Sequence, residues 1–407
     1  MTGTPDGPLR RAGALVRRGW NALGIVLLFG LCLGVGFALA SSLSRALPRE
    51  KGEERPGHPY AGEAWFPTYN SEFQSSLMMR WSPYVYWQRQ AFAGQFINVD
   101  STGFRRTIQA APVGANPRRV WFFGGSTLWG TWQRDSHTIP SLVSAGLSQR
   151  GITNVEVRNF GETGYVFTQE VLRLVLELQA GERPDVVVFY DGANDLAAST
   201  MSPSCGIAQN EERRAFEFAF GRLLTSGRPR EFRDFGRLFI LRARNQINDM
   251  LVGNGLAQPR RLDTGPLATG VVRCYARTAG LVEALSREYG FRALYFWQPM
   301  PATSPKPATV FEQPELDTLV HDGLREHIRS LDRIASAAID SAMTPIAHER
   351  FHNLSALFTG DTATVWMDFI GHITERANGV VVGRMIDPVA QALEAPAREP
   401  MAAMSPR

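Results

Sequence analysis

The sequence predicts an α/β protein built on a doubly wound parallel sheet in three layers. From residue 118 onward, strand-like runs alternate with amphipathic helical runs, which is the pattern of repeated βαβ units. Residues 186–190 are continuously apolar, as expected for a strand buried on both faces of a parallel sheet. Right-handed crossovers between such strands place helices on both faces, which gives the three layers.

The individual elements follow in a regular order with one long interruption. Strand patterns cover residues 119–123, 155–160, 186–190 and 293–297, and helix patterns cover residues 138–149, 168–178, 277–289 and 375–393. An insert at about residues 197–266 breaks this rhythm with helical segments rich in arginine. Its apolar stripe consists of Phe216, Phe220, Leu223 and Leu224. The insert is interpreted as a lid over the site, as a basic surface for lipid headgroups or an anionic glycan, or as an ordinary solvated helical excursion.

A membrane anchor is predicted near the N-terminus. Residues 20–44 carry no charge and are mostly apolar, and about 20 such residues suffice for a helix to span a bilayer. The basic stretch 1–19 predicts a cytoplasmic N-terminus and an exported remainder. A cleaved signal peptide, and hence a secreted protein, is the alternative, because Ala38-Leu39-Ala40 matches a small-x-small cleavage site.

The rest of the chain divides into a linker, one large domain and a tail. Residues 45–62 are charged and rich in Pro and Gly, as in a solvated linker. Residues 63–393 form the predicted domain, and the Pro- and Ala-rich residues 394–407 form a predicted disordered tail. The net charge of +4 is concentrated before the anchor, so the nearly neutral remainder predicts no nucleic-acid partner.

Two further features of the predicted domain each allow two interpretations. Residues 63–117 are rich in aromatic side chains, including Trp65, Trp81 and Trp87. Such rings either pack in the core or form a surface that binds a glycan. Cys205 and Cys274 lie in the exported part, where they form either a disulfide or two free buried thiols.

Two short sequences carry the chemistry of the chain, each directly after a predicted strand. Ser126 follows two glycines at the end of the first strand, where a sharp turn exposes its hydroxyl. Asn194 follows the strand at 186–190, and a neutral side-chain amide there can donate to a developing oxyanion. Gly161 ends the strand between them in sequence, and its N–H can approach the same oxyanion. Asp195 is interpreted as the N-cap of the segment that follows.

The serine needs a base, and His372 is the best candidate. It lies just before the last predicted helix, and Asp368 precedes it closely enough to orient the imidazole. Trp129 and Gln298 follow strand ends and are candidates for lining a pocket.

These four pieces together resemble the SGNH hydrolases, also called GDSL-type esterases and lipases. The resemblance spans residues 80–393 and implies the flavodoxin-like SGNH fold, with Ser126 as nucleophile, His372 as base and Asp368 as its partner. It further implies an oxyanion hole made of the Ser126 and Gly161 amides and the Asn194 side chain. Two departures stand out, since Gly-Gly-Ser-Thr replaces Gly-Asp-Ser-Leu and three residues, not two, separate Asp368 from His372. A bulge at Gly371 would absorb the extra residue.

A zinc peptidase is a competing hypothesis. His348, Glu349 and His352 match the H-E-x-x-H pattern, which on a helix places two imidazoles on one face for zinc, and Glu375 is a candidate third ligand. The segment is short and lacks the apolar stripe of a long helix, so a polar loop is the alternative.

The leading prediction is an exported, membrane-anchored serine esterase that needs no cofactor. Its expected substrates are short-chain acyl esters, such as acetyl esters, of a carbohydrate or lipid. An O-acyltransferase that uses the same triad on an envelope glycan, and a non-catalytic glycan-binding envelope protein, are the further alternatives.

Overall fold

The computed structural model describes residues 57–202, 204–226, 228–253, 261–314, 323–346 and 348–396. The chain divides into two units, residues 1–55 and 56–407, and every described residue belongs to the second. The predicted cytoplasmic segment 1–19, the anchor 20–44, most of the linker and nearly all of the tail lie outside the described residues. Within the described ranges, no helix has both the length and the apolar character needed to cross a bilayer.

An N-terminal part with little regular structure precedes the main sheet. It contains helix α1 (Phe66–Ser75) and two small antiparallel hairpins, formed by strands β1 (Met79–Ser82) and β2 (Tyr86–Arg89), and by β3 (Phe92–Ala93) and β4 (Asn98–Val99).

The main α/β part follows the predicted alternation. Its strands are β5 (Arg118–Gly124), β6 (Val155–Asn159), β7 (Val186–Asp191), β8 (Arg292–Trp297) and β9 (Phe351–Asn353). Its helices are α2 (Ser126–Trp129), α3 (Ile139–Gln149), α4 (Phe167–Gln179), α5 (Ala193–Met201), α6 (Glu211–Ser226), α7 (Pro229–Gly253), α8 (Thr264–Tyr289), α9 (Gly323–Ala342) and α10 (Glu375–Glu394).

The five strands form one parallel sheet in the order β6-β5-β7-β8-β9. All six residues of the central strand β7 are buried, as its continuous apolar run predicts. Helices α3 and α10 pack on one face, where Val143 and Val381 join the core. Helices α4, α8 and α9 pack on the other, where Leu174, Val282 and Leu331 do so. The predicted parallel α/β architecture is confirmed.

The aromatic N-terminal residues mostly pack inside the protein. Tyr60, Phe66 and Tyr69 form a third core cluster with Trp129, and Trp65 packs against it. On the β1–β2 hairpin, by contrast, Trp81 and Tyr84 are 65% and 70% exposed. The packing interpretation therefore holds for Trp65 but not for the tip of this hairpin.

The insert contains a helical hairpin, α6 and α7, held together by aromatic contacts. Phe216 and Phe220 contact Phe235 with ring centroids 5.1 and 5.6 Å apart. Leu224, the last member of the predicted stripe, is 71% exposed. Ahead of this hairpin, Cys205 is bonded to Cys274 of α8, with their Cα atoms 5.8 Å apart, so the disulfide interpretation is the correct one.

Candidate active site

The site forms at the carboxyl end of the sheet, where β5 and β7 lie side by side. Their register pairs Gly124 with Tyr190, so the turns that follow the two strands are neighbours. Ser126 is the first residue of α2, directly after the extended Gly125, and is only 8% exposed. Because Ser126 begins the helix, its N–H has no acceptor within that helix.

His372 contacts both Ser126 and Asp368. Its Nε2 lies 2.7 Å from Ser126 Oγ, and its Nδ1 lies 2.5 Å from Asp368 Oδ2. These are hydrogen-bonding distances, and the two ring nitrogens serve one partner each. The structure thus brings together the three side chains that the sequence predicts as a triad, across 246 residues of chain between Ser126 and His372.

Asp368 is held as an ionised acceptor. Its Oδ1 accepts the backbone N–H groups of Ile370 and His372 at 3.0 and 3.3 Å. Burial by itself raises the pKa of Asp368, but the charge of His372 and these hydrogen bonds outweigh it and hold the pKa below its ordinary value. A carboxylate in this state orients the imidazole and stabilises its protonated form.

The extra residue between Asp368 and His372 is accommodated at Gly371, as expected. Its φ of +100° lies in the left-handed region, which favours glycine. This turn brings the chain back so that His372 still contacts Asp368, which lies four residues earlier.

Side chains from distant segments hold in place the loop that carries His372, residues 365–373, called here the histidine loop. The fully buried Gln133 donates through Nε2 to the Ile373 carbonyl at 2.5 Å. Glu312 Oε1 accepts the N–H groups of Val365 and Trp366 at 2.9 and 3.0 Å. Trp366 in turn pairs with Ile373 in an antiparallel bridge, so the loop is fixed on both sides.

Asn194 reaches the serine turn because residue 125 is a glycine. A Cβ on Gly125 would stand 2.1 Å from Asn194 Nδ2, closer than any side chain allows. The amide hydrogens of Asn194 therefore lie beside the backbone that carries Ser126, where an oxyanion donor is required.

Gly161 does not present its N–H freely to the site. That N–H donates to Asn159 Oδ1 at 2.9 Å, and Asn159 Nδ2 donates to the Leu128 carbonyl at 3.2 Å. A Cβ on Gly161 would stand 2.6 Å from the backbone nitrogen of Trp129, so the glycine is needed for packing against α2. Its role as an oxyanion donor stays a prediction and requires the bond to Asn159 to open.

Trp129, a candidate for lining a pocket, belongs to the core. It is fully buried, with the guanidinium carbons of Arg89 and Arg105 at 4.0 and 4.3 Å from its ring centre. Gln298 is 3% exposed and lies against Gly371, where a Cβ would stand 3.6 Å from its Nε2. It therefore packs against the loop that carries His372, at Gly371.

Two further predictions need correction. The H-E-x-x-H segment forms a turn and the short strand β9, so its two histidines do not lie on one face of a helix as the zinc hypothesis requires. In the part of the chain described above, no group of three or more His, Cys, Asp and Glu side chains is arranged to hold a metal ion. The candidate third ligand Glu375 binds Arg134 at 2.7 Å.

Asp195 accepts the N–H of Phe167 at 3.3 Å and so caps α4, not the segment after it.

Sequence reasoning missed Gln133, Lys306 and Glu312, because none of them belongs to a short motif. One signal was available: Lys306 is one of just two lysines in a chain that otherwise uses arginine. In the structure Lys306 pairs with Glu312, and both side chains are almost fully buried.

The sequence matches no protein-family model and none of the curated proteins. Solved structures with a similar arrangement include an acetyl xylan esterase, AlAXEase, at 13% identity and a TM-score of 0.35, covering 67% of this chain and 99% of that one. They also include a member of the lipolytic G-D-S-L family from Veillonella parvula, at 12% identity and a TM-score of 0.33, covering 66% of this chain and 97% of that one. A third is an acetylxylan esterase from Geobacillus stearothermophilus, at 11% identity and a TM-score of 0.31, covering 71% and 98%.

The described part of the chain is an α/β protein with a serine, a histidine and an aspartate in hydrogen-bonded series at the carboxyl end of its parallel sheet. In the order of its four motifs the chain resembles the SGNH hydrolases.

Proposed function

We propose that this protein is a serine ester hydrolase of the SGNH type. The observation that carries the proposal is the series Asp368–His372–Ser126, with contacts of 2.5 and 2.7 Å. In this series His372 Nδ1 donates to the carboxylate, which leaves Nε2 free to accept the serine proton.

The reaction that fits this arrangement proceeds through an acyl-enzyme. Ser126 Oγ attacks the ester carbonyl while His372 Nε2 takes its proton. The tetrahedral intermediate then expels the alcohol, which receives that proton from His372. A water molecule, activated by the same imidazole, attacks the acyl-enzyme and releases the acid and free Ser126.

Charge that develops on the carbonyl oxygen needs donors on the far side from His372. Asn194 Nδ2 and the N–H of Ser126 are the two groups best placed for this role, since both lie at the serine turn. A neutral amide donor stabilises an oxyanion without adding a competing charge to the site.

The proposed substrates are short-chain acyl esters, such as acetyl esters, of a carbohydrate or lipid in the cell envelope. Two of the matched structures are named as acetylxylan esterases, which is compatible with this class. The proposed location is outside the cytoplasm with a membrane anchor at residues 20–44, on the basis of the basic flank and apolar stretch in the sequence.

The proposal is tested with the full chain and an activated acetyl ester. A serine-directed phosphonate should label the protein once, and peptide mapping should locate the label on Ser126. Ser126→Ala should remove the label and lower kcat by a factor on the order of 10⁴–10⁶.

Ser136→Ala is the matched control, because Ser136 is an exposed serine whose hydroxyl contacts His137 outside this site. It should leave both labelling and turnover unchanged. An unlabelled protein, or full turnover in Ser126→Ala, would rule out the nucleophile. If acyl groups move to a sugar hydroxyl faster than to water, the same site acts as an acyltransferase.

A further inference from the structure

The side-chain amide of Asn194 has a specific partner in the insert. Gln209 Nε2 donates to Asn194 Oδ1 at 3.3 Å. An asparagine amide has a donor end and an acceptor end of nearly equal shape, so a hydrogen bond to one end decides where the other points. With Oδ1 held by Gln209, Nδ2 is turned toward Gly125 and the serine turn.

The backbone on both sides of Gln209 is fixed. Four residues earlier, Cys205 is bonded to Cys274 of α8. On the other side, Arg214 donates to the Gln209 carbonyl, and its guanidinium carbon lies 4.0 Å from the ring centre of Tyr86. The residue after it, Asn210, has a left-handed φ of +59°, which turns the chain into α6. Such restraint is what a side chain needs to set the geometry of another.

The other end of the Gln209 amide lies close to Gly164. Its Oε1 would lie 3.5 Å from a Cβ built on Gly164, in the loop that follows β6. Gln209 thus lies between the turn after β6 and the turn after β7, and is half-buried.

We propose that Gln209 is a positioning residue that fixes the Asn194 amide with its donor end toward the oxyanion. The inference deepens the proposed function and rests on it. It also assigns a role to the start of the insert: the disulfide-anchored loop completes the catalytic arrangement instead of only covering it.

The decisive variant is Gln209→Glu. A carboxylate has the size and shape of the glutamine amide but can only accept a hydrogen bond. Facing it, Asn194 Oδ1 is repelled and the Asn194 amide turns over, so that an acceptor faces the developing oxyanion. Gln209→Ala removes the hydrogen bond but does not favour the reversed orientation of the Asn194 amide. Its loss of activity should therefore be the smaller of the two.

The test measures kcat and KM of the full chain on the activated acetyl ester. Gln209→Glu should lower kcat by about the same factor as Asn194→Ala, on the order of 10²–10³, with KM changed much less. Gln209→Ala should cost a factor of about 10 in kcat. In the Asn194→Ala background, Gln209→Glu should cause no further loss, because the two variants remove the same donor. At acidic pH the Gln209→Glu variant should regain activity relative to wild type as the introduced carboxyl group becomes protonated.

The surface variant Gln149→Glu, at the exposed end of α3, controls for the added charge and should leave kcat unchanged. A Gln209→Glu variant with wild-type kcat, or one whose loss multiplies that of Asn194→Ala, would overturn the inference. If Ser126→Ala and Asn194→Ala themselves retain full activity, the proposed function fails instead, so the two failures are distinguishable.

Discussion

Lys306 and Glu312 form an ion pair inside the protein. Lys306 Nζ lies 2.6 Å from Glu312 Oε2, and the two side chains are 2% and 1% exposed. The other carboxylate oxygen accepts the N–H groups of Val365 and Trp366, at the start of the segment that leads to His372. A buried charge pair therefore anchors the loop that carries His372.

Removing one partner of this pair should destabilise the protein strongly. Glu312→Gln keeps the shape of the side chain but leaves the Lys306 ammonium buried without a counter-charge. Losses of about 3–5 kcal/mol in the free energy of unfolding are typical of such changes. Urea unfolding of the wild type and the variant measures the loss.

The double variant Lys306→Met/Glu312→Gln is the control, since it removes both charges together. It should recover much of the stability that Glu312→Gln loses. Equal urea midpoints for the wild type and Glu312→Gln would show that the pair does not hold the loop.

The state of Asp368 can be tested separately from its position. Asp368→Asn keeps the size of the side chain but replaces the charged acceptor of the His372 Nδ1 proton with an amide. The imidazole is then free to adopt the wrong tautomer, and kcat should fall by a factor of about 10⁴. Steady-state kinetics on the activated acetyl ester measures this.

Circular dichroism and phosphonate labelling of Asp368→Asn provide the control. The variant should remain folded, and labelling at Ser126 should slow in step with kcat, because both depend on the same base. A kcat within tenfold of wild type would mean that Asp368 does not orient the histidine.

The variant Gly371→Ala tests whether the extra residue before His372 is tolerated only because Gly371 adopts a left-handed conformation. A Cβ there would meet nothing closer than 3.6 Å, so Gly371→Ala suffers from the φ of +100° and not from a clash. A left-handed alanine costs about 1–2 kcal/mol, and relaxation of this turn moves His372 relative to Ser126. We expect a loss of kcat larger than the loss of stability alone would produce.

Gly151→Ala is the matched control. Gly151 also has a positive φ, +75°, and a Cβ there would meet nothing within 4 Å, but it lies in the turn after α3. The two variants should lose similar stability, and only Gly371→Ala should lose activity. Equal kcat values in both would contradict the role of the Gly371 turn.

The strands and most flanking helices were predictable because their signal is local. The buried run of β7 and the helical spacing in α4 encode burial directly, and both lie within one or two residues of the predicted bounds. Strand β9 has only three residues, Phe351–Asn353, and forms by pairing with β8. Three residues are too few to show a periodic pattern in the sequence. Helix α9 has a readable periodicity, with Leu331, Ala335 and Ile339 buried, and is nevertheless missing from the prediction.

The site was predictable to the extent that its residues occur at strand ends. Ser126 and Asn194 follow directly from that rule. His372 precedes the last helix, as predicted, and contacts Ser126. The bond from Gly161 to Asn159 was not predictable, because it depends on a side-chain rotation within the turn. Gln209 lies outside every motif, and its contact with Asn194 depends on the path of the insert.

A cluster of buried carboxyl groups beneath the site should make the stability of the protein depend on pH. Glu170 and Asp191 are 0% and 2% exposed, and they interact electrostatically with each other and with Asp195. Burial, followed by the repulsion between these groups, raises the pKa of Glu170 and Asp191 well above the ordinary range, and burial raises the pKa of Asp195 to about 7. The folded protein therefore holds protons that the unfolded chain releases near pH 4.

Because these pKa values are raised in the folded state, the contribution of the three groups to the free energy of unfolding is greatest below the ordinary carboxyl pKa. It declines as the pH rises. For Asp195 the decline covers the range from about 4 to about 7, and each such group contributes at most ~1.4 kcal/mol per pH unit. Glu170→Gln removes one carboxyl group whose ionisation opposes folding, so it should be more stable than the wild type at pH 8.5 and gain little at pH 4.5. Urea midpoints at several pH values measure this, with the exposed Glu288→Gln as the control for loss of one carboxylate. A Glu170→Gln variant that shows the same pH dependence as Glu288→Gln would mean that this cluster is not protonated in the folded protein.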